Sequence, residues 1–408
     1  MAVPSGAMAP KPSEQVIKSP ASVPKDEEQD ARRRRMLHET VRIEPSQECL
    51  THLAEVYANP EFAQCVRTIT FTLAGWPETD AMVLQTNHEL LKKVLTGFTH
   101  VERLNLANIS WDTLPSDTVS LLLGFAKLTS LSLHEVTFHS NVQFESTILA
   151  YPNLTTLLID EVRWSETLPF PPFTSTSEMS LNLTSLRLGK CTSQNAVAER
   201  LLCYKFSLEH LEVRWEDFRQ TGPLRDLLRT SGNKLQEFRL DLPELVIAQG
   251  AEEVEHLEED LNLEYNTELR FVQFHSIYLN AHPTEDFHVA WVYGPLRKAS
   301  PQNLRHVTFD VFADGLKSLA RFHWEQIAEV FSGPSYTSNP VVEVNAHLML
   351  DWANDNDKVT DENVSIRISP VKGVVFNRRL ILVGRCSHST IFDSLSRMYR
   401  RRRSGPTF

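Results

Sequence analysis

An apolar residue, two variable ones, an apolar, one variable and an apolar recur along the chain. The series reads VRTITF from Val66, VERLNL from Val101, LTSLSL from Leu128, LTTLLI from Leu154 and LTSLRL from Leu183. It continues as LEHLEV from Leu208, LQEFRL from Leu235, LRFVQF from Leu269 and LRHVTF from Leu304. Each hexad is apolar at positions 1, 4 and 6, and successive hexads start 25 to 35 residues apart. Two further columns extend the register: position 11 is Trp76, Trp111, Phe138, Trp164, Phe218, Leu245 or Leu279, and position 9 includes Ile109, Val136, Val162, Ile277 and Phe312. Because a strand alternates its faces, positions 4 and 6 point to one side, and the later columns are expected to turn the chain over the same core.

Between the hexads lie segments with helical spacing and start signals. Ser116 and Asp117 open SDTVSLLLGFA, Ser193 precedes QNAVAERLLCYKF, and Gly222 with Pro223 introduces LRDLLRT. Parallel strands need long crossovers, usually helical. The pattern therefore predicts an α/β fold, an irregular leucine-rich-repeat solenoid or horseshoe with a parallel concave sheet and convex return helices.

The flanks differ in composition. Residues 1–45 are rich in Pro, Ser, Ala and charge and are expected to be a disordered tail. Residues 46–315 hold the repeats, led by a capping helix in CLTHLAEVYANPEFAQCV. Residues 316–390 read as a C-terminal cap: a helix in LKSLARFHWEQIAEVFSG, then terminal strands at VVEVNAHLML and GVVFNRRLILVG that are not assigned as regular repeats. Residues 391–408 form a basic tail.

The lead-in FAQCVRTITF, the LxxLxLxxVxF/W units and spacers such as AYPNLTTLLID resemble fungal F-box-like proteins with a repeat region similar to the ribonuclease-inhibitor fold. The resemblance covers roughly residues 50 to 385. It implies a substrate receptor of a cullin-type ubiquitin ligase, in which an F-box holds the ligase adaptor and the repeats hold the substrate. No segment upstream of the repeats fits an F-box, so a free-standing binding protein is the alternative, and a catalytic ligase component a more distant one.

Composition narrows the chemistry. Five cysteines without CxxC or CxxH spacing fit reduced thiols, and no apolar run reaches the length of a membrane span. Without a signal-peptide core either, a cytoplasmic or nuclear location is expected, and the sequons at Asn108, Asn153, Asn182 and Asn363 read as chance. A formal net charge of −11 argues against nucleic acid as a general partner. The basic tetrads Arg32–Arg35 and Arg400–Arg403 read either as nuclear-import signals or as solvated tail charge. No phosphate loop, nucleophile elbow or helical zinc motif occurs. The chain is read as a non-enzymatic monomer without metal or cofactor. His134, His210, His275 and His306 are read as solvent-facing, and DNDKVTDE from Asp355 as a polar loop rather than a calcium site.

If positions 4 and 6 face the core, positions 3, 5 and 7 face out. There the middle units place Arg187, His210, Glu212, Arg214, Glu237, Arg239 and Asp241 side by side, next to Phe271, Gln273 and His275. Arginine and aromatic side chains dominate interface energetics, which makes these ten residues the candidate site for a protein ligand. Cross-strand salt bridges among the same charges are the competing expectation.

Overall fold

The computed structural model describes residues 36–73, 81–166, 180–243, 252–279, 290–299, 302–313, 324–332, 341–350 and 375–384, except positions 45, 192, 193 and 218, with a few single positions elsewhere. The strands are β1 (Thr40–Ile43), β2 (Thr68–Thr72), β3 (Arg103–Ser110), β4 (Ser130–Ser140), β5 (Thr156–Asp160), β6 (Arg163–Glu166) and β7 (Ser185–Leu188). They continue with β8 (His210–Arg214), β9 (Glu237–Asp241), β10 (Phe271–Leu279), β11 (His306–Ala313), β12 (Val341–Leu350) and β13 (Val375–Gly384). The helices are α1 (Gln47–Val56), α2 (Pro60–Ala63), α3 (Ala81–Thr96), α4 (Ser116–Leu123), α5 (Asn141–Leu149), α6 (Gln194–Leu202), α7 (Gly222–Ser231), α8 (Glu252–Asp260), α9 (Ala290–Lys298) and α10 (Trp324–Ser332). Twelve strands form one open parallel sheet in chain order, and β6 joins it beside the distal part of β4.

The nine hexads occupy β2–β5 and β7–β11, and their position-3 residues pair strand to strand from Thr68 through Arg103, Ser130, Thr156, Ser185, His210, Glu237 and Phe271 to His306. Sequence register and sheet register coincide. Every residue at positions 1, 4 and 6 is at most 1 % exposed, which places the core between the sheet and the helices.

Two hydrogen-bond devices join the units. The position-2 carbonyl of each unit from Glu39 to Arg270 accepts both the position-2 and position-3 amides of the next, at 2.7–3.1 Å. Side chains repeat the step. Asn153, Asn182 and Asn303, each just before a position-1 leucine, donate Nδ2 to the carbonyls of Ala126, Pro152 and Thr267 one unit back. Thr129, Thr155 and Thr184 at position 2 donate Oγ1 to Glu102, Thr129 and Thr155. The two NLT sequons thus coincide with an inter-unit clamp, which gives their spacing a structural reason.

Position 8 sorts eight of the nine units into two kinds; in the ninth it is the exposed Lys190. Asn108, Glu135, Glu161 and Ser276 all stand there with φ between 52° and 54°. A left-handed residue inverts the alternation, so the following position 9 turns inward instead of outward. These are the units whose positions 9 and 11 are buried: Ile109 and Trp111, Val136 and Phe138, Val162 and Trp164, Ile277 and Leu279. Where position 8 is apolar (Leu73, Trp215, Leu242 or Val311), it is itself buried. One assignment to the inward column is corrected by this. Phe312 lies at position 9 of a unit without the inversion, so it stands outside the core cluster, on the opposite face of the sheet. Trp76, Phe218 and Leu245 lie outside the described residues.

The ends also differ from expectation. Residues 40–43 are not tail: β1 pairs with β2 in the common register and buries Val41 and Ile43 at positions 4 and 6. His38 at position 1 hides the unit from an apolar search, and its ring stacks on Phe62 at 4.4 Å. The expected capping helix is α1 plus α2, broken at Asn59 and Pro60, and it serves as the first crossover between β1 and β2. At the other end β12 pairs with β11 from His306↔Val341 and buries Val342, Val344 and Ala346, and β13 pairs with β12, so both continue the array. The rest of the N-terminal tail, the Asp355 loop and the C-terminal basic tail fall outside the described residues, apart from short fragments before β1.

The clamp asparagine and the core leucine of one unit should differ in weight. Asn182→Ala is expected to lower unfolding free energy by about 0.5–1.5 kcal/mol, and Leu186→Ala by about 2–5 kcal/mol. Urea titrations check this, and an asparagine effect equal to the leucine effect would contradict a surface clamp over a packed core.

Candidate functional site: the open face of the sheet

All ten candidate residues lie on the face away from the core, across β7–β10, as the alternation over positions 3 to 7 of these strands requires. The structure brings them together and largely pairs them. Arg187 Nε meets Glu212 Oε1 at 3.1 Å, Glu212 Oε2 lies 3.9 Å from Arg239 Nη1, and Arg239 also binds Glu237 on its own strand. His210 Nε2 faces Glu237 Oε2 at 3.8 Å. The expectation of cross-strand ion pairs therefore holds for the centre of the face. Such half-exposed pairs add little stability each, but they fix side chains that would otherwise sample many rotamers.

Arg214 and Asp241 depart from that scheme. They are register partners, yet Arg214 turns its Nε to Glu216 at 3.0 Å. Asp241 Oδ1 and Arg239 Nε are buried without a hydrogen-bond partner. Nor is Phe271 a bare exposed ring. It is half-buried, with the Arg239 guanidinium 5.2 Å from its centroid and the His306 ring stacked at 5.4 Å on the other side.

The histidines are not simply solvent-facing. Each faces a carboxylate on the following strand: His134 Nδ1 and Asp160 at 3.1 Å, His210 and Glu237, His275 Nδ1 and Asp310 at 2.6 Å, His306 Nε2 and Glu343 at 3.3 Å. Asp310 is the most heavily served, since Gln273 and Asn345 also donate to it at 3.0 and 2.7 Å. Burial alone would raise the Asp310 carboxyl, but these donors and the His275 charge outweigh it and hold the pKa below the usual carboxylate value. Asp160 is likewise penalised by burial, then stabilised as an anion by its hydrogen bond with His134 and by the charges of His134, Arg187 and Arg214. The same hydrogen bond with Asp160 raises the pKa of His134.

Beyond the ten residues, Tyr278, Phe312 and His347 line up across β10–β12 on the same face. Tyr278 and Phe312 stack at 5.1 Å, and Phe312 and His347 at 4.4 Å. Burial first, and then the Asp241 charge, raise the Tyr278 phenol, against the lowering by its hydrogen bond with Ser276 and by the Arg214 charge. Sequence reasoning missed the stack because the inversion at Ser276 brings Tyr278 outward from position 10. It missed His347, Glu343 and Asn345 because β12 was not put on the register. The alternation of Val342, Val344 and Ala346 was the signal available. Among the described residues no three His, Cys, Asp or Glu side chains converge to hold a metal ion, and no helix is long and apolar enough to cross a membrane.

Two measurements probe the His134–Asp160 pair. The His134 contribution is complete below about pH 6.5 and is lost as pH rises through its raised folded value, and the Asp160 contribution is complete above about pH 3.9 and lost on acidification. The pair is thus strongest between those limits. The stability deficit of His134→Gln should shrink in thermal melts from pH 6 to pH 9, and a constant deficit would contradict the coupling. Second, a Cβ on Gly189 would stand 2.5 Å from Asp160 Oδ1 and 3.0 Å from the Ile159 carbonyl. Gly189→Ala should cost about 1–3 kcal/mol by this crowding and move the His134 titration, followed by NMR, back toward the ordinary histidine value.

Compared with known proteins, the chain matches no family model and no curated protein.

Proposed function

We propose that the chain is a non-enzymatic protein-interaction scaffold, a leucine-rich-repeat solenoid whose concave sheet face grips a protein ligand at β7–β11. The observation that carries this reading is the contrast along one continuous face. The strands before β7 present mostly small hydroxyl side chains such as Thr68, Thr70, Ser130, Ser132 and Thr156, whereas the later strands present arginines and rings fixed in place by ion pairs and stacking. Arginine and aromatic groups held in one geometry lose little freedom on binding, which favours a protein ligand. The array gives these side chains no role in the core, since positions 1, 4 and 6 already fill it.

The resemblance to F-box-like repeat proteins makes a ubiquitin-ligase substrate receptor the specific form of this reading. A cullin and its adaptor among co-purifying proteins would support that form, and a partner set without them would leave the free-standing scaffold.

The test is affinity purification with Arg187, Arg214 and Arg239 changed together to Gln, which keeps the stems and removes the charges. Recovery of the wild-type partners should fall at least tenfold while the thermal melt stays cooperative. Undiminished recovery by a folded variant would rule out the arginine face as the binding site.

A further inference from the structure

Histidine is the one ordinary side chain whose charge changes between about pH 5 and pH 8, and the open face collects it. Four histidines there face a carboxylate, in every case one on the next strand of the sheet. Three of the four, His210, His275 and His306, stand on β8, β10 and β11, among the arginines and rings of the candidate site. His210 has Glu237 on β9 and Glu212 on its own strand, while on β7 its register partner is Ser185, with Arg187 two residues further on. His275 lies between Asp310 on β11 and its register partner Asp241 on β9. His306 lies between Glu343 on β12 and the Phe271 ring on β10, beyond which stands Arg239.

Positions 3, 5 and 7 of β7–β12 carry three arginines, Arg187, Arg214 and Arg239, against five carboxylates, Glu212, Glu237, Asp241, Asp310 and Glu343. With the three histidines neutral the formal charge of these positions is −2, and with all three protonated it is +1. The sign changes without a change of shape, because the acceptors are already held; Asp310, for example, is fixed by Gln273 and Asn345 as well as by His275. The arginines among them suit an anion. Arg187 and Arg214 meet Glu212 and Glu216 through Nε, at 3.1 and 3.0 Å, and a guanidinium offers more N–H donors than one carboxylate can take. Glu212, Glu237 and Asp241 lie between these arginines on the same strands. An evenly charged phosphate backbone would be repelled at each of them, whereas a polypeptide can set its carboxylates against the arginines alone.

We propose that the open face at β7–β11 binds an acidic polypeptide segment of its partner, and that protonation of His210, His275 and His306 strengthens the grip. Ligand carboxylates bond to Arg187, Arg214 and Arg239. The protonated imidazoles neutralise Glu237, Asp310 and Glu343, which otherwise repel the same ligand. Binding an anion beside these rings takes up protons, so affinity rises as pH falls through the histidine range. It falls again only where the ligand's own carboxylates protonate, at about pH 4.3 for glutamate. Salt weakens the effect, since the rings act through a partly exposed field. This inference rests on the interaction-scaffold reading and adds to it a ligand class and a control by pH.

The experiment titrates the full-length chain into a fluorescein-labelled deca-glutamate peptide and reads fluorescence polarisation at pH 7.5 and pH 6.0, at one ionic strength. The wild-type chain should bind about fivefold more tightly at the lower pH. With His210→Gln, His275→Gln and His306→Gln combined, binding should be equal at the two pH values. The single change His210→Gln, at a half-exposed position, should remove part of the gain, and a cooperative melt checks the fold of each variant. An unchanged wild-type affinity between the two pH values, or an undiminished gain in the folded histidine variants, would overturn the proposal. Equal pH-dependent binding of a labelled ten-nucleotide oligothymidylate would overturn the assignment to a polypeptide. If affinity purification recovers partners that the triple arginine variant loses, yet no more of them at pH 6.0 than at pH 7.5, the scaffold reading stands and the coupling to protonation falls.

Discussion

One main-chain arrangement sets the geometry of this protein. In every unit from Glu39 to Arg270 a single carbonyl, at position 2, accepts two amides from the unit that follows. Both lone pairs of that oxygen are used, so each strand can enter the sheet at one height only. A slip of one residue would also turn every position-4 and position-6 side chain from the core to solvent. Hydrogen bonding and burial therefore enforce the same register, and crossovers of very unequal length between hexads 25 to 35 residues apart change nothing at the strand entrance. The asparagine and threonine clamps at positions 0 and 2 reinforce the same step with side chains.

Downstream of that fixed entrance the chain has a choice, and it is made at position 8. A left-handed residue there reverses the alternation and sends positions 9 and 11 inward, where Trp111 packs on Phe138 at 5.1 Å and Trp164 on Phe144 at 5.8 Å. A continuous strand keeps the alternation, buries position 8 and leaves position 9 on the open face. Placing the two kinds side by side, β10 with the reversal and β11 without, brings Tyr278 and Phe312 together outside the core. The aromatic stack on this side of the sheet, in which Phe312 is itself buried, is a consequence of a backbone irregularity.

Electrostatics on that face follow from the fixed register as well. Strands set side by side at one height bring unlike charges into line, and Arg187, Glu212 and Arg239 at position 5 neutralise one another in sequence. The histidine–carboxylate pairs bind adjacent strands in a similar way, so most charge on the face is committed internally. Asp241 escapes because Arg214 finds a closer acceptor in Glu216, beyond the strand end. Which charges on the face stay unpaired is decided by that local competition rather than by the number of charges.

The apolar spacing by itself determined the strand units, their mutual register and the side of the sheet to which each residue of positions 3 to 7 belongs. Those depend on alternation, a property any strand shares, and all ten candidate residues fell where the pattern put them. Tertiary structure alone decided the rest. The unit with His38 at position 1 was invisible to an apolar search, and the strand at Val341–Leu350 was read without its register, although Val41, Ile43, Val342 and Val344 continue the core. The reversal at Asn108, Glu135, Glu161 and Ser276 is a dihedral choice available to polar residues in many settings, so it shows only when the backbone is folded. Pairing was likewise hidden, because which carboxylate an arginine reaches depends on distances of a few ångströms across strands that the sequence separates by some thirty residues.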